Sequence, residues 1–228
     1  MTKIPLVSVV MSVYNSESSI RAAIESIISQ SYKDIEFLIT DDGSTDNSFK
    51  IIQEYANIDE RIIAFKNKDN IGLTKSLNSL IRNSKGKFIA RQDADDKSHK
   101  NRIKIQIDYI NKKNLDACTT RAEVIGKQRV VPNFSYYIPR KLLIKYKNPY
   151  IHGSLVIKKT VLKEVNNYHE SFYYSQDYKL MTDLLRSNKK VGIIKRPLYM
   201  LNMENNISST YIDEQKYYAD CVRKNIIP

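Results

Sequence analysis

The sequence predicts an α/β fold, a mostly parallel central sheet with helices on both faces. Two observations carry this expectation. Short apolar, β-prone runs alternate with amphipathic stretches of helical period through the first hundred residues, and polar clusters close three of the runs on their carboxyl side. Leu6 to Val13 reads as a buried strand. Ser18 to Ser31 follows as a helix, with Ile20, Ala23, Ile24, Ile27 and Ile28 at helical spacing. Ile35 to Thr40 is the second strand. Ser44 and Thr45 are expected to cap a helix carrying Phe49, Ile52 and Tyr55, and Arg61 to Lys66 is a third strand. Leu73, Leu77, Leu80 and Ile81 mark a third helix, and Lys87 to Gln92 a fourth strand. Strands and helices in strict alternation require crossover connections, hence parallel pairing.

Past Asp96 the rhythm loosens. Ile103, Ile107 and Ile110 mark another helix and Asp116 to Val124 a strand, whereas Arg129 to Tyr150 reads as irregular and is rich in Tyr, Lys, Pro and Asn. Ser154 to Ile157 is a further strand and Gln176 to Arg186 a helix with Tyr178, Met181, Leu184 and Leu185 on its apolar face. Val191 to Ile194 and Pro197 to Leu201 read as two short strands, and Tyr211 to Asn225 as a Tyr-rich terminal helix. No linker interrupts the chain. Residues 1–228 are therefore expected to form one domain, with a nucleotide-type half over about 1–100 and an acceptor-type half over about 101–228.

Composition excludes several classes. No run approaches the roughly 18 apolar residues of a membrane span. The N-terminus lacks the basic lead and the small-residue cleavage site of a secretory signal. Cys118 and Cys221 are far apart, outside the spacing of a zinc site or a disulfide framework, which suggests a reducing, cytosolic compartment. Residues 1–100 hold 14 Lys/Arg against 14 Asp/Glu, and residues 101–228 hold 23 against 11, so the excess of +12 lies wholly in the second part. That excess reads either as solvated lysines on helix faces or as attraction to phosphates or to an anionic membrane.

In an open parallel sheet, ligands bind outside the carboxyl ends of the strands. Tyr14 and Asn15 follow the first strand, Asp41 and Asp42 the second, and Asp93, Asp95 and Asp96 the fourth. The three clusters should converge. Three carboxylates in four positions repel one another, and keeping them ionised in a partly desolvated crevice is costly without a cation. Mg²⁺ or Mn²⁺, held by one or two carboxylates and substrate phosphates, suits such a site. The same acids could instead decorate the N-terminus of the following helix, but the second acidic pair at a second strand end favours the cation. In DDGSTD a turn or cap needs only one carboxylate, which leaves the other free to accept a hydrogen bond from a base or ribose.

The segments VSVVMSVYN, ITDDGSTD, NIGLTKSLN, KGKFIARQDADD, NPYIHGSLVIKK and SQDYKLMTDLL occur in an order that resembles family 2 glycosyltransferases of the Rossmann-like GT-A fold, over residues 4 to 202. The resemblance implies inverting, metal-assisted transfer of a hexosyl or N-acetylhexosaminyl group. The donor would be a nucleotide-diphosphate sugar, with UDP the expected nucleotide. The acceptor would be a glycan or lipid-linked molecule of cell-surface polysaccharide or glycolipid biosynthesis, met at the inner face of the cytoplasmic membrane. By the same resemblance Ser12 and Tyr14 line the base and Asp42 binds its edge. Asp95 would ligate the metal directly, and Asp93 would contact the ribose or the metal. Asp96 would orient the site or reach the donor sugar, and Lys75 is a candidate for phosphate, or a surface lysine. Asp177 is the candidate base that takes the acceptor's proton. The family often has Glu before it; Gln176 removes one negative charge there, which tends to lower the base's pKa. His152 matches a common His that would contact diphosphate or acceptor, or else is structural. Tyr136, Tyr137, Arg140, Lys141, Lys145 and Tyr146 fall where the family varies with acceptor.

Two other classes compete. A sugar nucleotidyltransferase shares the sheet, metal and acids but needs a glycine-rich loop after the first strand, and SVYNSESS has no glycine. A non-catalytic basic module for an anionic surface or nucleic acid leaves the acids without work, and no nucleic-acid motif accompanies the charge. The sequence is compatible with an oligomer.

Overall fold

Val7–Val13, apolar along one side and carrying Ser8, Val10 and Ser12 on the other, forms a strand, β1, buried between two helical layers. Val7, Val9, Met11 and Val13 face one core and Val10 the other, as strand alternation dictates. The structure, a computed structural model, describes residues 6–203 and 211–228. β1 pairs in parallel with β2 (Ile35–Asp41) and β4 (Phe88–Arg91), and β2 with β3 (Ile62–Lys66). Helices α1 (Ile20–Ile28), α2 (Ser48–Ile58) and α4 (Arg102–Lys113) cover the first face through Ile24, Ile52 and Ile107. The second face is covered by α3 (Leu73–Asn83), α6 (Lys159–Glu164), α7 (Gln176–Arg186) and α8 (Ile212–Lys224), through Leu77, Leu162, Met181 and Val222.

The second half extends the same sheet. β4 is joined by antiparallel β8 (Val156–Lys158), then β6 (Ala117–Val124), β9 (Val191–Leu201) and β5 (Lys97–Ser98). Among the described residues the order is thus β3-β2-β1-β4-β8-β6-β9-β5, with β7 (Val130–Val131) beside β6. The expected parallel sheet is therefore mixed beyond β4, where only β6 and β9 run parallel.

Three local expectations need correction. Val191–Leu201 is one strand, whose register against β6 slips between Thr120 and Ala122, so the break near Pro197 is an irregularity within the ladder and not an end. The irregular stretch before Tyr150 contains a short helix, α5 (Arg140–Leu143). Ser44 and Thr45 do not cap α2. Asn47 is its N-cap, and Asp46 Oδ1 accepts the Ser48 N–H. The Ser44 hydroxyl instead accepts the Asn15 N–H at 3.0 Å, and Asn15 Oδ1 accepts the Thr45 N–H at 2.9 Å. These bonds clasp the loop after β1 to the loop after β2, and a tertiary contact has taken residues whose local preference was a cap.

Candidate active site at the carboxyl ends of the central strands

The register places Ser12 opposite Thr40 and Val13 opposite Asp41, so the ends of β1 and β2 lie side by side. Ser12 is half-buried and Tyr14 exposed. Asp42 has a structural task at the end of β2. Its carboxylate is buried and fully engaged: Oδ1 accepts from Asn67 Nδ2 at 2.7 Å and from the Ile71 N–H at 3.1 Å, while Oδ2 accepts the Gly72 N–H at 2.9 Å. Asp42 therefore ties the 67–72 loop to the end of β2. Its neighbour Asp41 takes the Ser44 N–H on Oδ2 at 3.2 Å but leaves Oδ1 buried with no partner. Asp42→Asn should cost about 2–3 kcal/mol, because an amide replaces an acceptor that faces backbone donors. Chemical denaturation reads this as a lowered midpoint; an unchanged midpoint would refute the tie between Asp42 and the 67–72 loop.

β4 ends at Arg91, a residue that the strand buries completely beneath the acidic run. Arg91 donates through Nη1 to the Gln92 carbonyl at 2.5 Å and through Nη2 to Asp93 Oδ1. Arg102, equally buried, donates to the Arg91 carbonyl at 3.1 Å and sits 5.5 Å from the centre of the Tyr199 ring. Burial lowers its pKa to about 10, which leaves it protonated at neutral pH. Two guanidinium groups thus underlie three carboxylates.

That charge does not satisfy the acids equally. Asp93 is paired with Arg91. Burial, with Asp93 nearby, pushes Asp95 up to about 6. Burial and the negative charges of Asp93 and Asp95 push Asp96 further up, although its Oδ1 accepts the Asn202 N–H at 2.6 Å. Asp95 and Asp96 thus resist ionising together with Asp93, and a bound cation would favour their charged forms.

Across the crevice stand residues from the second half. Tyr199, on β9 just past the register slip, accepts the Asp93 N–H through its hydroxyl at 3.1 Å. His152 opens a 3₁₀ turn, His152–Ser154, and its Nε2 lies 2.7 Å from the Tyr168 hydroxyl. Burial first, and then the Arg91 cation, lower His152 to about 4, so it is a neutral ring at physiological pH. Asp93 and Asp177 both bear electrostatically on His152 and Tyr168, so the two acids share the neighbourhood of that His–Tyr pair. Asp177, in the first turn of α7, is half-buried. Its Oδ2 accepts from Asn148 Nδ2 at 2.7 Å, and Oδ1 has no partner among the described residues. Gln176 is half-buried beside it. Lys75 lies exposed on the first turn of α3, and no described contact draws it to the acids.

Sequence reasoning missed Arg91, Arg102, Asn148, Tyr168 and Tyr199. Only Arg91 left a signal, a charged residue inside an apolar strand; Tyr199 reaches Asp93 from 106 positions away. Among the described residues no three His, Cys, Asp or Glu side chains group so as to hold an ion, so the triplet is not a ready-made cage. The donor set still fits a hard divalent cation. Asp95 forms no ion pair among the described residues, Asp93 has Oδ2 outside its pairing with Arg91, and oxygen donors of this kind suit a metal shared with phosphates.

With this geometry in hand, the comparisons are informative. The chain matches the model of Glycosyl transferase family 2 over residues 8–166. It is 32% identical over 187 residues, 80% of this chain and 71% of the relative, to the Escherichia coli UDP-Glc:alpha-D-GlcNAc-diphosphoundecaprenol beta-1,3-glucosyltransferase WfgD. It spans between 60% and 77% of the length of the first curated relatives it matches. Among solved structures, S. aureus TarS 1-349 in complex with UDP-GlcNAc superimposes with a TM-score of 0.76 at 19% identity, over 90% of this chain and 60% of that one. The mannosyltransferase PcManGT from Pyrobaculum calidifontis, in complex with GDP-Man and Mn²⁺, gives 0.76 at 17% identity, over 100% of this chain and 67% of the other. These likenesses show the fold, and it is the expected GT-A type. From the match over residues 8–166 together with this fold, the chain belongs to glycosyl transferase family 2.

Proposed function

We propose that the chain, working as one functional unit over residues 1–228, transfers a hexosyl or N-acetylhexosaminyl group with inversion from a UDP-sugar to a hydroxyl of a glycan or lipid-linked acceptor. The setting is cell-surface polysaccharide or glycolipid biosynthesis at the inner face of the cytoplasmic membrane. One observation carries the reading: an acidic run at the end of β4, in which burial and Asp93 push Asp95 up, lies near a neutral His152 on which Asp93 and Asp177 both bear electrostatically. Family membership sets the sugar nucleotidyltransferase alternative aside. No helix among the described residues is long and apolar enough to cross a membrane.

In this reading Asp95, with Asp93, holds Mg²⁺ or Mn²⁺. When bound, the metal offsets the charge that develops on the departing nucleotide diphosphate. Ser12 and Tyr14 line the base, and Asp42, whose carboxylate also holds the 67–72 loop, is the acid for the base edge. Lys75 reaches toward phosphate. Asp96, held by the Asn202 N–H, braces the end of β9 against the acidic run. Asp177 Oδ1 takes the acceptor's proton, and Asn148 fixes its orientation. His152 and Gln176 contact diphosphate or acceptor as neutral hydrogen-bonding groups. WfgD, by its name, acts on a diphosphoundecaprenol-linked sugar, which supports a lipid-linked acceptor here.

Thermal denaturation tests the donor site. UDP with Mn²⁺ should raise the melting temperature where either alone does not, because stabilisation follows occupancy. Asp95→Ala should abolish the effect. In the wild type it should weaken as pH falls through about 6, since a proton on Asp95 competes with the cation. Identical melting under all these conditions would refute the reading.

A further inference from the structure

On the second face, away from the acidic run, α5, α7 and α8 enclose an open groove of about 710 Å³. Ile144, Leu185 and Val222 give it an apolar wall, and Thr182 contributes a buried hydroxyl with no hydrogen-bond partner. Its rim carries Lys141, Lys145, Arg186 and Arg223, and no Asp or Glu lines it. The arginines are partly committed, Arg186 to Asn225 Oδ1 and Arg223 to Asp220 and the Tyr146 carbonyl. Neither lysine has a partner among the described residues.

The surface around the groove is unusual for water. Leu142 is 50% exposed and Tyr146 68% exposed, and Ile226 and Ile227, just beyond the Asn225 that holds Arg186, are 52% and 65% exposed. Apolar side chains projecting among unpaired cations match a bilayer interface, where the side chains enter the acyl boundary and the cations meet headgroup phosphates. A nucleic acid would use the cations but gain nothing from the apolar wall.

We propose that this groove seats the phosphate and first acyl methylenes of an anionic membrane phospholipid. The unpaired lysines meet the phosphate, the Thr182 hydroxyl donates to a headgroup or glycerol oxygen, and Ile144, Leu185 and Val222 cover the methylenes. Docking then lays α7, whose first turn carries Asp177, against the membrane. The inference rests on the reading above only in taking a membrane as the working surface, and it requires no sugar transfer.

Vesicle co-sedimentation tests it. The wild type should bind vesicles containing phosphatidylglycerol and not pure phosphatidylcholine, and added salt should weaken the binding. Lys141→Gln with Lys145→Gln should lower affinity about 20-fold, whereas Lys112→Gln with Lys113→Gln, on α4 of the opposite layer, should change it less than about twofold. The chain has no tryptophan, so Leu142→Trp supplies a single reporter, and brominated acyl chains in phosphatidylglycerol vesicles should quench it. Equal losses in both double variants, an unquenched indole, or displacement by inorganic phosphate would overturn the groove as a lipid seat. Melting with UDP and Mn²⁺, read on the same proteins, separates the two ideas. Groove variants should keep that protection, and its absence from a wild type that binds lipid would overturn the donor reading alone.

Discussion

Asp177→Asn should lower the transfer rate by about 10²–10⁴-fold while leaving protection by UDP and Mn²⁺ as in the wild type. The amide has the shape of the acid and can still accept from Asn148, so the first turn of α7 should keep its geometry. It cannot take a proton from an acceptor hydroxyl. Single-turnover transfer beside a nucleotide thermal shift separates the two effects. Turnover near the wild-type rate would place the base elsewhere, and joint loss of turnover and donor protection would make Asp177 part of the donor site.

The second large effect is expected at a residue with no chemistry of its own. A Cβ on Gly153 would fall within contact distance of two groups at once, the Tyr199 hydroxyl and Asp93 Oδ2. Tyr199 cannot yield, since it is buried and its hydroxyl accepts the Asp93 N–H. Gly153→Ala should therefore cost about 1–3 kcal/mol through overpacking. It should also push Asp93 out of place and weaken metal-dependent UDP binding at least about tenfold, since small displacements in such sites are costly. Denaturation and nucleotide titration should fall together. A variant with wild-type stability and wild-type UDP affinity would show that Asp93 Oδ2 has no part in the donor site.

Both predictions depend on how the chain was read. Among the described residues, six of the eight helices and the strands β1 to β4 are visible in spacing alone, because the sheet is covered on both faces and each helix must show one apolar stripe to it. The short α5 and α6 are not, because four or six residues are too few to display a helical period. The single strand Val191–Leu201 was obscured by Pro197, which sits where the register slips. In the site, the acidic run and Asp177 stand out as charges at element ends. The part Asp42 plays in the fold does not, because only the course of the 67–72 loop brings Asn67 and the Ile71 and Gly72 N–H groups to its carboxylate.

By itself the sequence determined the α/β alternation, the family resemblance, and the placement of acids at the ends of β2 and β4, since these follow from local period and from residues adjacent in the chain. Only the tertiary structure decided how those acids are neutralised. Arg102 lies under the run, Tyr199 arrives from the far end of β9, and the Asn202 N–H clamps Asp96 across 106 positions. Burial and charge together depend on what long-range packing brings within a few ångströms, and a linear pattern does not carry that information.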